Sequence, residues 1–247
     1  MKGLILAAGY GTRLYPLTLD RPKPLIKVGG KTILERLLRK FEQIDVCDDV
    51  CIVTNNRFAD MMTSWIETRS FSMGIDIIND LTNSNEDRLG AIGDINLVLE
   101  NKKLNDDILI VAGDNLFEFN ILDFISFARS KKKLSIALFD VKKKELAKKY
   151  GIVSVEKNGR INGFQEKPEE PKSTLASTGI YYLPKTGLNL LNDYMETGMA
   201  KDAPGNFVKW VVENHEAFGY VFTEGWYDIG DKKSLEKADV EYREKEL

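Results

Sequence analysis

Apolar positions along the chain alternate between short unbroken runs and stretches with helical spacing. Lys2 to Ala8 reads as a buried strand, followed by a loop whose Gly9, Gly11, Pro16, Pro22 and Pro24 delay any helix. The first helix signal is the capping box Thr32-Ile33-Leu34-Glu35, after which Ile33, Leu37, Leu38, Phe41 and Ile44 recur at helical spacing. A strand from Val50 to Thr54 comes next, then a helix from about Phe58 to Thr68 with Phe58, Met61, Met62, Trp65 and Ile66 inward, and a strand from Ile75 to Asn79. Helices near Ile92 to Glu100 and Leu122 to Arg129 alternate with strands Ile108 to Ala112 and Leu134 to Phe139. This order predicts an α/β fold around a doubly wound, mostly parallel, Rossmann-like sheet, whose ligands gather at the C-terminal ends of the strands.

From Tyr150 the texture changes. Gly151 to Val155 and Ile161 to Gln165 flank Asn158-Gly159, which predicts a type I′ hairpin and makes the sheet mixed. A strand from Ser177 to Leu183, helices Leu188 to Glu196 and Phe207 to His215, and a strand from Phe218 to Thr223 lead to the turn Gly225 to Gly230 and a charged last helix. With no linker or repeat in view, residues 1–247 are expected to form a single domain.

Thirty-five Lys and Arg against 38 Asp and Glu give a net charge of −3, without the positive excess that drives binding to nucleic acid. The longest apolar runs, Leu4 to Ala8 and Ile108 to Ala112, fall far short of the ~20 residues that cross a bilayer. The N-terminus lacks a signal-peptide layout, so no membrane partner and a cytoplasmic location are expected. Cys47 and Cys51 lack the spacing and companion ligands of a zinc or redox site, and read as inert thiols. His215 is the single histidine and has no Ser or Cys elbow motif nearby, so the chemistry must manage without a histidine triad.

The loop after the first strand is where an anion fits. Gly9 and Gly11 let backbone amides approach a phosphate, although a Gly-x-Gly alone is equally a tight turn. Leu14 stands where a dinucleotide fingerprint wants its third glycine, Asn55 stands where it wants an acid, and no Gly-Lys-Ser/Thr closes the loop as in a Walker motif. Arg13 and Lys23 lie in the same proline-stiffened loop and add cations at the expected ligand edge.

The string Leu6-Ala-Ala-Gly-Tyr-Gly-Thr-Arg-Leu-Tyr-Pro-Leu-Thr18, with Pro22-Lys23-Pro24-Leu25, resembles the signature of the sugar-phosphate nucleotidylyltransferases, the NDP-sugar pyrophosphorylases. The resemblance recurs in family order at Ala112-Gly-Asp-Asn115, Tyr150-Gly-Ile152, Gln165-Glu-Lys-Pro168, Ala176-Ser-Thr-Gly-Ile-Tyr-Tyr182 and Trp226-Tyr-Asp-Ile-Gly230, and so spans essentially the whole chain. It implies the nucleotide-diphospho-sugar transferase type of fold. It also implies attack by a sugar-1-phosphate oxygen on the α-phosphorus of a nucleoside triphosphate, with release of pyrophosphate. Because the attacking phosphate is already ionised at pH 7, such a reaction needs positioning and charge neutralisation more than a general base.

Position by position, the resemblance makes Arg13 and Lys23 the catalytic cations, and Leu6, Ala7, Ala8, Gly9, Gly11, Thr12, Asp80 and Gly90 nucleotide-binding residues. Asp114 and Asp228, 114 positions apart, resemble the pair that holds Mg²⁺. Glu166 and Lys167 resemble the residues for sugar hydroxyls and sugar phosphate, with Tyr150, Gly151, Thr178, Gly179 and Tyr181 around them. Gly151 and Gly179 read either as open backbone beside the sugar or as bulge glycines, and Tyr181 as a sugar-packing or a core residue.

The segment Asn79 to Asp94 departs from the family pattern. Leu89-Gly90 matches, but no pyrimidine-reading Gln is evident, and Arg88 is a further candidate phosphate or base contact. Glucose-1-phosphate with dTTP or UTP is the favoured substrate pair, on the Ala-x-Thr-Gly-x-Tyr pattern. A cytidylyltransferase for phosphocholine or another nonsugar phosphate, and an inactive NDP-sugar-binding regulatory homologue, are the alternatives. A glycosyltransferase would show Asp-x-Asp where Gly113-Asp114-Asn115 stands. The 19 residues after Asp228 predict no appended β-helix and hence no acetyl transfer, and a homo-oligomer is a family-level expectation.

Overall fold

A computed structural model describes residues 1–245. In chain order its strands are β1 (Lys2–Leu6), β2 (Lys27–Val28), β3 (Lys31–Thr32), β4 (Asp49–Thr54), β5 (Gly74–Asn79), β6 (Ile108–Ala112), β7 (Asn115–Phe117), β8 (Leu134–Asp140), β9 (Gly151–Val155), β10 (Ile161–Glu166), β11 (Leu175–Leu183), β12 (Ala217–Phe222) and β13 (Trp226–Asp228). Its helices are α1 (Ile33–Phe41), α2 (Ala59–Glu67), α3 (Gly90–Lys102), α4 (Ile121–Lys131), α5 (Lys144–Ala147), α6 (Asn189–Glu196), α7 (Pro204–Asn214) and α8 (Lys232–Lys245). No helix among the described residues is long and apolar enough to cross a membrane.

The chain divides into two compact units, each assembled from separated stretches. The first comprises Met1–Leu89, Val111–Glu118 and the chain from Gly225. Here β1, β4 and β5 run parallel, with Leu6 opposite Val53 and Thr54 opposite Asn79, so the loops after all three strands leave from one edge. Helix α1 starts where its capping box predicts: Thr32 Oγ1 accepts the Glu35 N–H at 3.1 Å, and Ile33, Leu34, Leu37, Leu38 and Phe41 are buried. The last helix is tied back to this unit, with Asp239 Oδ1 accepting the Gly29 N–H at 2.8 Å. Gly29 has φ +57, and a Cβ there would stand 2.6 Å from Tyr242 Cβ, so both backbone and space require glycine.

The second unit comprises Gly90–Ile110 and Phe119–Glu224. Strand β8 pairs parallel with β12 and antiparallel with β11, and β9 pairs antiparallel with β11 and β10. The antiparallel additions after Tyr150 are therefore real. Phe119 seals one side of the core against Phe222, ring centroids 4.2 Å apart, and meets Phe124 edge-on at 6.4 Å.

Three expectations are corrected. The β9–β10 turn is a three-residue loop, with Glu156 N–H donating to Arg160 O and Gly159 N–H donating to Glu156 O. Only Gly159 has positive φ, at +84°, whereas a type I′ turn needs it at Asn158 as well; Asn158 Oδ1 instead accepts the Arg160 N–H at 2.8 Å. On α2, Met62 is buried but Met61 is 40% exposed, because the inward stripe is narrower than the run of apolar residues suggests. Helix α7 begins three residues before Phe207, because Pro204 occupies its first turn with φ already set for a helix.

Removing the α1 cap with Thr32→Ala should lower stability by about 1 kcal/mol, read as a lower urea midpoint with an unchanged m-value.

Candidate active site

In the first unit the loop after β1 leaves a row of donors open. Ala7 N–H still donates to Val53 O at 2.8 Å, but the amides from Ala8 to Arg13 donate to nothing among the described residues. Gly11 is left-handed at φ +62, and its carbonyl accepts the Thr18 hydroxyl at 2.8 Å and the Leu14 N–H at 2.9 Å. That turn starts a short 3₁₀ segment, Thr12–Leu14, on which Thr12 and Arg13 are exposed while Leu14 is buried. Gly9 is exposed, and a Cβ there would meet nothing within 4 Å, so protein packing does not explain its missing side chain. Six consecutive free amides form a cradle for an anion.

The same unit brings the distant carboxylates together. Strands β7 and β13 pair antiparallel with Asp228 opposite Asn115, and Ile229 N–H donates to Asp114 O at 3.0 Å. Lys23, on the 3₁₀ turn Lys23–Leu25, donates through Nζ to Asp114 Oδ2 at 2.7 Å. Arg13 lies beside Asp228: the Cβ position of Gly230 is 3.6 Å from both Arg13 Nη1 and Asp228 Oδ2. Burial works against ionisation of Asp114, but the Lys23 ammonium prevails and holds it below the usual carboxylate range. Asp228 is pushed up to about 6 by burial and by the Asp114 charge, with Lys23 and Arg13 opposing.

Two residues given no role in the sequence reading orient this pair. Trp226 Nε1 donates to Asn115 Oδ1 at 2.7 Å, and Asn115 Nδ2 donates to Asp114 Oδ1 at 2.9 Å, fixing the carboxylate plane. Their signal was present, since both sit inside recurring motifs, but spacing alone could not show that they bond to each other.

Asp80, a candidate nucleotide contact, is held by its own segment. Its side chain is buried, Oδ1 accepts both the N–H and the hydroxyl of Thr82 at 2.8 Å, and burial raises its pKa. Thr82 Oγ1 lies 3.2 Å from Tyr10 OH, and Asn55 Nδ2 donates to Ala8 O at 2.8 Å. The short side chain of Asp80 turns back onto the chain two residues on through Oδ1, while its Oδ2 is buried with no partner among the described residues.

In the second unit, Gly90 opens α3 at φ +77. The next two amides, Ala91 and Ile92, donate to Asp202 O and Lys201 O at 3.2 and 3.0 Å, which caps part of this helix start. Glu166 ends β10 opposite Gly151, with its carboxylate half-buried and its pKa raised by burial against the pull of Lys167. Lys167 has φ +42, its N–H donates to Tyr150 O at 3.1 Å, and its side chain is 65% exposed. Gly179, at φ +76 within the register shift between Ser177 and Tyr181, is the bulge glycine; Gly151 is not.

Thr178 and Tyr181 both face inward. Thr178 is 1% exposed and spends its hydroxyl on Ala137 O at 2.8 Å, because the bulge turns it toward β8. Tyr181 is buried, lines an apolar cavity of about 10 Å³ with Ile92, Leu183 and Phe207, and is pushed up to about 12 by that burial. It belongs to the core.

An unpaired amide row, two cations and a carboxylate pair are thus carried by the first unit. The chain belongs to the nucleotidyl transferase family, whose pattern it matches over residues 2–245. It is 27% identical over 233 residues to the bifunctional protein GlmU of Methanocaldococcus jannaschii; this covers 93% of the chain, which spans about half (51%) of that relative's length. Its fold is similar to that of a Bacillus anthracis protein described as a glucose-1-phosphate thymidylyltransferase, solved in complex with sucrose, at a TM-score of 0.83 and 24% identity over 98% of this chain and 95% of the other. A UDP-glucose pyrophosphorylase complexed with UDP-glucose superposes at 0.81 with 20% identity, covering 99% and 98% of the two chains. These likenesses establish the fold as a mixed, mostly parallel sheet flanked by helices.

Because the folded Asp228 resists ionisation, its effect on stability is absent below about pH 4 and grows more unfavourable as pH rises to about 6. In EDTA, the stability of Asp228→Asn relative to the parent should therefore be about 3 kcal/mol greater at pH 7 than at pH 4, as read by urea unfolding at the two pH values.

Proposed function

We propose that this chain joins a sugar-1-phosphate to a nucleoside triphosphate, releasing pyrophosphate and an NDP-sugar, with glucose-1-phosphate and dTTP or UTP as the favoured pair. The observation that carries the reading is the run of six unpaired amides from Ala8 to Arg13 in the unit that also holds Lys23, Asp114 and Asp228. Amides and cations suit a triphosphate, and the motif correspondence puts the acceptor with Glu166 and Lys167.

In this reading an oxygen of the acceptor phosphate forms a bond to the α-phosphorus while the bond to the bridging oxygen of the β-phosphate breaks, and pyrophosphate leaves with the electron pair. No proton need be removed from the nucleophile at pH 7. The loop amides orient the triphosphate, Arg13 offsets the charge that develops on the transferred and leaving groups, and Lys23 shifts part of its charge from Asp114 to phosphate.

The carboxylates fit a divalent metal. Their oxygens are hard donors, Asp228 is pushed up to about 6 by burial and by the Asp114 charge, and no third acidic, His or Cys ligand joins them among the described residues. This suits Mg²⁺, which binds through one or two carboxylates and keeps positions for water and substrate phosphate. Asp114 and Asp228 would hold it, and when bound it supplies charge neutralisation at the phosphates.

The test is pyrophosphate release over a grid of dTTP, UTP, CTP, GTP and ATP against glucose-1-phosphate, mannose-1-phosphate, N-acetylglucosamine-1-phosphate and phosphocholine, with Mg²⁺ and with EDTA. Turnover with a sugar phosphate is expected in Mg²⁺ and not in EDTA. Turnover with phosphocholine alone would replace the sugar reading, and a silent grid with retained NTP binding would replace the enzyme reading. Arg13→Ala should lower kcat by about 10²–10³-fold. Lys167→Ala should raise the acceptor KM about tenfold while leaving the nucleotide KM within about twofold, as read from initial rates.

A further inference from the structure

The Glu166 carboxylate is held by shape and not by hydrogen bonds. Its Oε2 reaches over the first turn of α7, where a Cβ built on Gly205 would stand 2.0 Å from that oxygen and 3.0 Å from Phe164 Cζ. On the strand side, a Cβ at Gly151 would stand 3.2 Å from the same oxygen and 2.6 Å from Phe164 Cζ. Two glycines, one on β9 and one on α7, leave a slot that the Phe164 ring and the carboxylate fill together. Neither has a positive φ, so the space requires them and the backbone does not.

The acceptor atoms in that slot are unused. The nearest cation, Lys167 Nζ, is 3.9 Å from Oε1, and no hydrogen bond reaches the Glu166 side chain among the described residues. The side chain keeps 29% of its surface exposed, so its lone pairs stay open to a donor from outside the chain. The slot is also anchored. Just before α7, Lys201 O and Asp202 O accept the Ile92 and Ala91 N–H groups at 3.0 and 3.2 Å, and a Cβ at Gly90 would stand 2.6 Å from Lys201 O. The start of α7 is thereby tied to the start of α3.

We infer that Gly205 is a positioning residue for acceptor recognition. Its missing side chain lets the first turn of α7 set the depth of the Glu166 carboxylate, which then accepts hydrogen bonds from the hydroxyl groups of a sugar phosphate. This rests on the reading of Glu166 as an acceptor contact, and extends it to a residue on another element.

The test compares Gly205→Ala, Glu166→Gln, Glu166→Asp and the pair Gly205→Ala with Glu166→Asp. Pyrophosphate release is measured at saturating nucleotide, with glucose-1-phosphate or whichever acceptor of the grid is turned over fastest. Alanine is a better helix former than glycine, and only side-chain atoms meet the added methyl, so the variant should fold. Gly205→Ala is expected to raise the acceptor KM about tenfold with kcat and the nucleotide KM within about twofold. Added to Glu166→Asp it should cost less than about threefold more, because the shorter side chain has already withdrawn from the methyl. Independently of turnover, the Glu166 carboxyl followed by ¹³C NMR should titrate closer to an ordinary glutamate in Gly205→Ala, because the methyl drives it toward solvent. An acceptor KM that moves in Glu166→Gln but not in Gly205→Ala, with an unshifted titration, overturns the positioning role alone. An acceptor KM unmoved by Glu166→Gln overturns the reading of Glu166 itself, and the inference with it.

Discussion

The first unit is organised around the cost of holding two carboxylates side by side. Asp114 and Asp228 lie 114 positions apart in the sequence, and burial, with the Asp114 charge added to it, raises the pKa of Asp228. The β7–β13 ladder supplies the rigid frame that keeps them adjacent, and the Trp226–Asn115–Asp114 hydrogen bonds fix the plane of one of them. Lys23 relieves the charge of Asp114 directly, and Arg13 stands by Asp228. The two cations thus offset the two carboxylates within this unit.

Backbone geometry makes the complementary half of that balance. The loop after β1 spends its carbonyls on itself, at Gly11, and leaves its amides outward. The bracing lies behind it, where Asn55 holds Ala8 and the Asp80–Thr82 turn reaches Tyr10. An open donor row needs such support, because amides that found partners within the loop would no longer receive an anion.

In the second unit glycines act by what they omit. Gly151, Gly179 and Gly205 lie near one candidate acceptor set, yet only Gly179 is demanded by its backbone conformation. The other two make room for Phe164 and Glu166. The distinction separates a turn requirement from a packing requirement, and sequence cannot make it.

The sequence by itself determined the element order, the α1 cap at Thr32 and the antiparallel additions after Tyr150, because these depend on local periodicity and capping chemistry. Motif correspondence also singled out Asp114 and Asp228, although nothing local joined them. Only the tertiary structure decided the Gly159 turn, which follows from the φ at Asn158; the burial of Asp80, Thr178 and Tyr181; and the contact between Gly205 and Glu166. Those outcomes depend on which way a side chain faces and on what another element leaves vacant, and both are settled only when residues distant in the chain pack together.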